Sequence, residues 1–299
     1  MGPGLCDNCH AKPKHVEGTH VHQYCGKKCA ASAQAHKHQA GGHGGHGGHN
    51  GHNNTHHVNS ATICLMCRKA PKHGPSHFCS NKCAAQAESK AICLLEVPQG
   101  HDTFKSVEHQ FKDTWRMPGR TPPSVKYVYK IVEPASRTAK YNHYRATVEA
   151  RGQFTKHKLT AGNECRRWHG TRRECQLGEP GNTTFCASTT CALCSIIKSS
   201  FNLAMSRGGR FGNGIYTSST SSKSDGYASN AHASPVKAIL LNKVVVGKCH
   251  KNPGLSPTLN AAPAGYDSVV APGSQVAADE LIVYDNDAVR PSFLVVYQP

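Results

Sequence analysis

From about residue 100 onward the apolar positions switch between two periods. Phe104, Val107, Phe111 and Trp115 recur at helical spacing in HDTFKSVEHQFKDTW, which predicts an amphipathic helix ended by GRTPPS. The alternating SVKYVYKIVE that follows predicts a strand, and Tyr141, Tyr144 and Val148 then mark one face of a second helix. Beyond these lie short apolar strands, RRWHGT, GIYTS, VKAILLNKVVVGK, ELIVYD and AVRPSFLVVY, separated by Gly, Pro and Ser. SIIKSSFNLAMS predicts a helix between the first two. Many strands with a few segregated helices predict an α+β domain.

The first hundred residues lack such patterning. Aliphatic residues are sparse there, so folding should depend on metal. An internal repeat supplies the ligands. CDNCHAKPKH with YCGKKCAA recurs as CLMCRKAPKH with FCSNKCAA, giving C-x2-C-x15-C-x3-C at Cys6, Cys9, Cys25 and Cys29, and C-x2-C-x11-C-x3-C at Cys64, Cys67, Cys79 and Cys83. Each set suits one tetrahedral Zn²⁺, with the last Cys in the first turn of a short helix, as in a treble-clef finger. The expected organisation is a four-Cys finger over 1–38, a Gly/His-rich linker over 39–60, a second finger over 61–95 and a catalytic region over 100–299 with its core at 124–299. The composition break near residue 95 predicts that 96–299 folds alone.

The formal charge is +17, falling to about +11 if twelve thiolates bind three Zn²⁺ ions. A chain this basic favours acidic proteins, nucleic acid or other polyanions as partners. No apolar run is long enough to span a membrane and no signal-peptide pattern is present, so an intracellular protein is expected, with nucleus or cytoplasm left open. Fifteen Cys at short spacings in a reducing compartment point to zinc rather than disulfides.

Three stretches carry the chemistry. NECRRWHGT (163–171) ends in His-Gly-Thr, RFGNGIYTSSTSSKSDGY (210–227) contains F-G-x-G-I-Y followed by S-K-S and a Tyr, and DELIVYDNDAVRPSFLVVY (279–297) places a Glu before I-V-Y. In this order and spacing they resemble the poly(ADP-ribose) polymerase-type ADP-ribosyltransferases, over roughly residues 124–299. The resemblance implies a diphtheria-toxin-like split antiparallel β-sheet, NAD⁺ as substrate, and a closing hairpin whose first strand carries the catalytic Glu. It implies catalytic roles for His169, Tyr216 and Glu280. His169 would contact the adenine-side ribose, Gly170 would pair with the nicotinamide carboxamide, Ser224 would donate to its oxygen, and Tyr216 and Tyr227 would offer ring faces, with Thr171 completing the NAD contacts. Glu280 would stabilise the oxocarbenium-like transition state.

Between the first two stretches, Cys186, Cys191 and Cys194 form a further metal triplet, completed by Cys175 or Cys165; Cys175 is the assigned fourth ligand. Two to three structural Zn²⁺ ions are therefore expected. The expected activity is transfer of ADP-ribose to protein acceptors, with nucleic acid as a second acceptor class and mono- or poly-transfer open. The alternatives are a catalytically silent NAD-binding adaptor and a zinc-finger nucleic-acid binder.

Overall fold

The computed structural model describes residues 13–17, 20–26, 59–89, 91–271 and 279–299. Cys6, Cys9, Cys29 and the Gly/His tract lie outside them. The chain divides into two compact units, residues 1–56 and 57–299. In the first, β1 (Val16–Glu17) pairs antiparallel with β2 (His20–Val21), and Cys25 is half-buried.

The second unit is built on a split sheet. Five strands run in the order β3 (Cys93–Val97), β4 (Ser124–Val132), β13 (Val289–Gln298), β9 (Lys237–Val245) and β5 (Glu164–Gly170), all antiparallel. Four more run in the order β10 (Cys249–Lys251), β11 (Ser268–Ala271), β12 (Glu280–Val283) and β7 (Ile215–Thr217), with β10 and β11 parallel. A short parallel pair, β6 (Arg172–Arg173) and β8 (Ser229–Asn230), stands apart. The α+β class and the split sheet expected from the sequence are both present. The two halves meet where Trp168 and Ser218 exchange backbone hydrogen bonds of 2.8 and 3.0 Å.

Strand β13 explains why its sequence is apolar at nearly every position: both of its faces are covered. Phe293, Val295 and Tyr297 pack with Phe104, Val107 and Phe111, whereas Leu294 and Val296 pack into the cluster of Leu193, Ile197, Ile215 and Leu281. The expected closing hairpin is corrected. β12 pairs with β7 and β11, while β13 pairs with β4 and β9, so the two strands belong to different halves of the split sheet.

The helices are α1 (Asn81–Glu88), α2 (Asp102–Asp113), α3 (Ala135–Gly152), α4 (Ala192–Ser199) and α5 (Ser221–Asp225). In α2, Phe104, Val107 and Phe111 are buried as their spacing required. Helix α4 begins earlier than the apolar pattern suggested and stops at Ser199, because Ser200 adopts φ +64° and only a 3₁₀ turn at Leu203–Met205 follows.

The boundary expected near residue 95 falls inside β3, which pairs with β4 over five residues. The second cysteine repeat packs onto the same sheet. Cys64, Phe78 and Ala87 cluster with Val132, Leu65 joins the core around α2, and Arg68 donates to the Glu96 carbonyl. His101 completes the joint. Its ring nitrogens engage Ile63 O at 3.0 Å and the Thr103 amide at 3.0 Å, so one buried side chain both caps α2 and holds the cysteine knuckle.

Candidate active site and metal centres

His169, Gly170 and Tyr216 come together at the seam between the two half-sheets. Strand β5 carries His169 opposite Leu240, and the Trp168–Ser218 bridge brings β7 alongside. The His169 Nδ1 lies 2.8 Å from Tyr216 O. A carbonyl can only accept, so Nδ1 carries the proton and Nε2 of the neutral ring is left as an acceptor. Burial drives the His169 pKa below the ordinary histidine value, the carbonyl contact opposing it only in part, so the ring is neutral at pH 7. Phe201 meets the ring edge-on at 5.0 Å between centroids and fixes its plane.

Gly170 has a steric reason to be Gly. A Cβ there would overlap the Ser224 carbonyl oxygen, and Ser224 is itself buried in α5. Helix α5 is anchored from the other side by α2: Ser221 Oγ donates to Phe111 O at 2.7 Å, Ser221 N to Thr114 O at 3.2 Å, and Arg116 N to Ser222 Oγ at 3.0 Å. Tyr227, just past α5, is 63% exposed. A ring so exposed gains on covering by a flat ligand.

The Tyr216 hydroxyl accepts from Phe211 N at 2.9 Å and donates to Gly212 O at 2.8 Å, bracing the preceding loop from within. Gly212 sits at φ +72° against Leu259 O, where any side chain would clash.

Glu280 opens β12 and is nearly buried. Its Oε1 is 3.0 Å from Lys223 Nζ on α5, and its Oε2 is buried with no hydrogen-bond partner among the described residues. A buried carboxylate oxygen left unsatisfied is costly, and such atoms concentrate where a ligand completes the bonding. The preceding residue, Asp279, aims one oxygen at three donors: Ser219 N at 2.9 Å, Ser219 Oγ at 2.6 Å and Ser218 Oγ at 3.2 Å. It extends the β7–β12 ladder beyond the Leu281–Thr217 pair and so ties Glu280 to the strand bearing Tyr216. Lys223 and Asp279 were not singled out from the sequence; the S-K-S triplet was the only signal for the lysine, and nothing local marked the aspartate. Thr171 follows β5, partly buried, with its carbonyl receiving the Ser229 amide at 3.4 Å.

This arrangement unites an acceptor imidazole, a gapless backbone approach at Gly170, two aromatic rings and a buried carboxylate. A family model for the poly(ADP-ribose) polymerase catalytic domain matches residues 101–281, more than half of the chain. The chain belongs to the poly(ADP-ribose) polymerase catalytic-domain family. Among curated relatives it is 27% identical to protein mono-ADP-ribosyltransferase PARP3 of Mus musculus over 184 residues, covering 60% of this chain and 28% of that protein. It is 28% identical to the Homo sapiens protein of the same name over 156 residues, covering 48% and 26%. The chain thus matches roughly a quarter of the length of these relatives. The family match begins at His101, which places α2 inside the matched region. The resemblance read from the sequence began later, at residue 124.

The described residues also form two four-cysteine groups. The Sγ atoms of Cys64, Cys67, Cys79 and Cys83 lie within 4.8 Å of one another, as do those of Cys175, Cys186, Cys191 and Cys194. Sγ–Sγ edges are 3.5 Å for Cys79–Cys83, 3.7 Å for Cys67–Cys79, 3.5 Å for Cys175–Cys194 and 4.0 Å for Cys175–Cys191. A tetrahedron with Zn–S bonds of about 2.3 Å has edges of about 3.8 Å, so both groups fit the ion. Burial alone would raise the Cys64 thiol, yet amides of Cys67, Cys79 and Met66 outweigh it and bring its pKa to about 7, while the contact with Cys83 pushes Cys79 up to about 12.

Helix α1 begins as expected, with Cys83 in its first turn and Ser80 accepting from Cys83 N. Cys175, not Cys165, joins the second group; Cys165 stays on β5, its thiol pKa raised by burial. Arg173, fully buried, donates to Leu177 O, Val236 O, Asn230 Oδ1, Glu179 Oε1 and Ser234 Oγ, each at 3.0 Å, and fixes the loop that starts just after His-Gly-Thr. Among the described residues no helix is long and apolar enough to cross a membrane.

Proposed function

We propose that the chain transfers ADP-ribose from NAD⁺ to an acceptor and releases nicotinamide, with His169, Tyr216 and Glu280 as its catalytic residues. The observation that carries this is Glu280, whose Oε2 is buried without a partner beside the seam formed by His169 and Tyr216. That oxygen accepts from a hydroxyl of the nicotinamide-side ribose. As the C1′–nitrogen bond breaks, its electron pair stays with nicotinamide, positive charge develops on the ribose, and the Glu280 carboxylate stabilises it. The acceptor's oxygen or nitrogen then bonds to C1′ and sheds its proton. Lys223 holds the other carboxylate oxygen and thereby fixes which one faces the sugar.

His169 Nε2 accepts from the adenine-side ribose, Gly170 offers its backbone to the carboxamide, Ser224 donates to the carboxamide oxygen, and Tyr216 and Tyr227 flank the ring, with Thr171 beside them. Zinc at the two described four-cysteine groups, and at Cys6, Cys9, Cys25 and Cys29, would be structural, since four thiolates leave no open position. Protein acceptors suit the mono-ADP-ribosyltransferase name of the relatives, and the strongly basic chain also suits nucleic acid.

Incubation with labelled NAD⁺ followed by mass spectrometry of the labelled acceptor tests the proposal; NAD⁺ left intact would reject it. Tyr227→Ala is expected to raise KM for NAD⁺ about tenfold or more with little change in kcat, because stacking acts on substrate and transition state alike. An unchanged KM would displace the nicotinamide pocket from α5. Elemental analysis of the dialysed chain is expected to give about three zinc ions, with Cys175→Ser removing one. A wild-type value near two would remove zinc from the catalytic half.

A further inference from the structure

The two cysteine repeats differ by four residues between their inner cysteines, fifteen against eleven. The backbone places the difference. His15 N donates to Tyr24 O at 3.0 Å in the first copy, and His73 N donates to Phe78 O at 2.8 Å in the second, so these pairs occupy equivalent positions. In the second copy the chain between them turns at once, Ser76 N closing on His73 O at 3.0 Å. In the first it runs out into the β1–β2 ribbon, and His22 N closes on His15 O at 2.8 Å.

The ribbon decides which side chains share a face. Residues directly opposite on antiparallel strands lie on one side, as do residues two apart on the same strand. With Val16 opposite Val21, His15 falls opposite His22, and Glu17 is two positions along from His15. All three are therefore on one face, and the described ligand atoms of His15, Glu17 and His22 lie within 4.8 Å of one another. The two imidazoles are 5.2 Å apart between centroids with their planes 34° apart, and His22 Nε2 lies 3.4 Å from Glu17 Oε2. A tetrahedral zinc site with nitrogen and oxygen bonds of about 2.0–2.1 Å has edges of about 3.3 Å.

We infer that the longer hairpin of the first repeat builds a His15–Glu17–His22 site for a divalent transition metal of the Zn²⁺ class. Among the described residues the group holds no cysteine, and Cys25 is not among the atoms gathered there. Two imidazoles and a carboxylate suit Zn²⁺, Cu²⁺ and Ni²⁺ and do not favour the hard ions Mg²⁺ or Ca²⁺. With three ligands among the described residues, two imidazoles and a carboxylate, this ion is held less firmly than one on four thiolates and exchanges more readily.

The test is a Zn²⁺ titration of the full-length chain with its cysteine sites already loaded, followed by NMR of ¹⁵N-labelled imidazoles. His15 and His22 are expected to shift together in one saturable step. Glu17→Gln should weaken that step at least about tenfold, in the range of outer-ligand changes at known sites, and His22→Ala should abolish it at His15. Cysteine-bound zinc, counted by elemental analysis, should stay constant across the variants and shows that each has folded. The histidines of residues 39–57 titrate in the same samples. If His15 and His22 follow their curve, or if Glu17→Gln leaves the step unchanged, the site does not exist.

Discussion

Glu280→Gln is expected to slow nicotinamide release about a hundredfold or more while NAD⁺ affinity stays within severalfold of the wild type. The amide keeps the volume and can still accept from Lys223 through its carbonyl oxygen, so the 3.0 Å contact with the lysine survives in neutral form. The buried Oε2, however, becomes an NH₂ group that cannot accept from a ribose hydroxyl, and the negative charge facing C1′ is gone. Both losses fall on the transition state, where a single well-placed electrostatic contact is commonly worth about 3–4 kcal/mol. Calorimetric NAD⁺ binding set beside a nicotinamide-release assay separates the two effects. Undiminished turnover would remove Glu280 from the mechanism.

A fragment of residues 96–299 is expected to lose the cooperative fold, whereas 57–299 keeps both fold and turnover. Cutting at 96 removes most of β3, including Leu94, and takes away Leu65 and Phe78, which are buried against the sheet. Burial of Leu65 and Phe78 alone is worth about 3–6 kcal/mol, a large fraction of the roughly 5–15 kcal/mol that holds a domain together. The cut also removes Ile63, the partner of the His101 ring that caps α2, and α2 in turn anchors α5 through Ser221 and Ser222. Damage at the second cysteine group should therefore reach Lys223 and Ser224. Thermal unfolding and NAD⁺ consumption of the two fragments decide the matter, and a 96–299 fragment with native melting and turnover would overturn it.

That prediction reverses the expectation drawn from composition, and the reason is physical. CLLEV is a short apolar run beside metal-binding sequence, and nothing local distinguishes the tail of a finger from an edge strand; only pairing with β4 makes it one. Long periodic segments were legible without the fold. Phe104, Val107 and Phe111 in α2 and the strands around His169, Tyr216 and the C-terminus lie where their spacing required. Residues joined only by topology were not legible. Lys223 and Glu280 are far apart in sequence and meet because α5 follows β7, which pairs with β12. Asp279 belongs to the same category, since its three donors lie at the end of β7. Cys175, the fourth ligand assigned from the sequence, gathers with Cys186, Cys191 and Cys194, while β5 holds Cys165 in the sheet.

The backbone bond shared by the two repeats, His15 to Tyr24 and His73 to Phe78, shows one local pattern built twice with unequal freedom to change. The copy at 61–95 has its outer surface committed: Phe78 and Ala87 pack against Val132, so lengthening its hairpin would press into the sheet. The copy near residue 20 carries Val16 and Val21 exposed on its ribbon and has four more residues between its inner cysteines. The second repeat is thus held by the sheet it packs on, and changes of length or side chain in this chain are expected to be tolerated better at the first repeat.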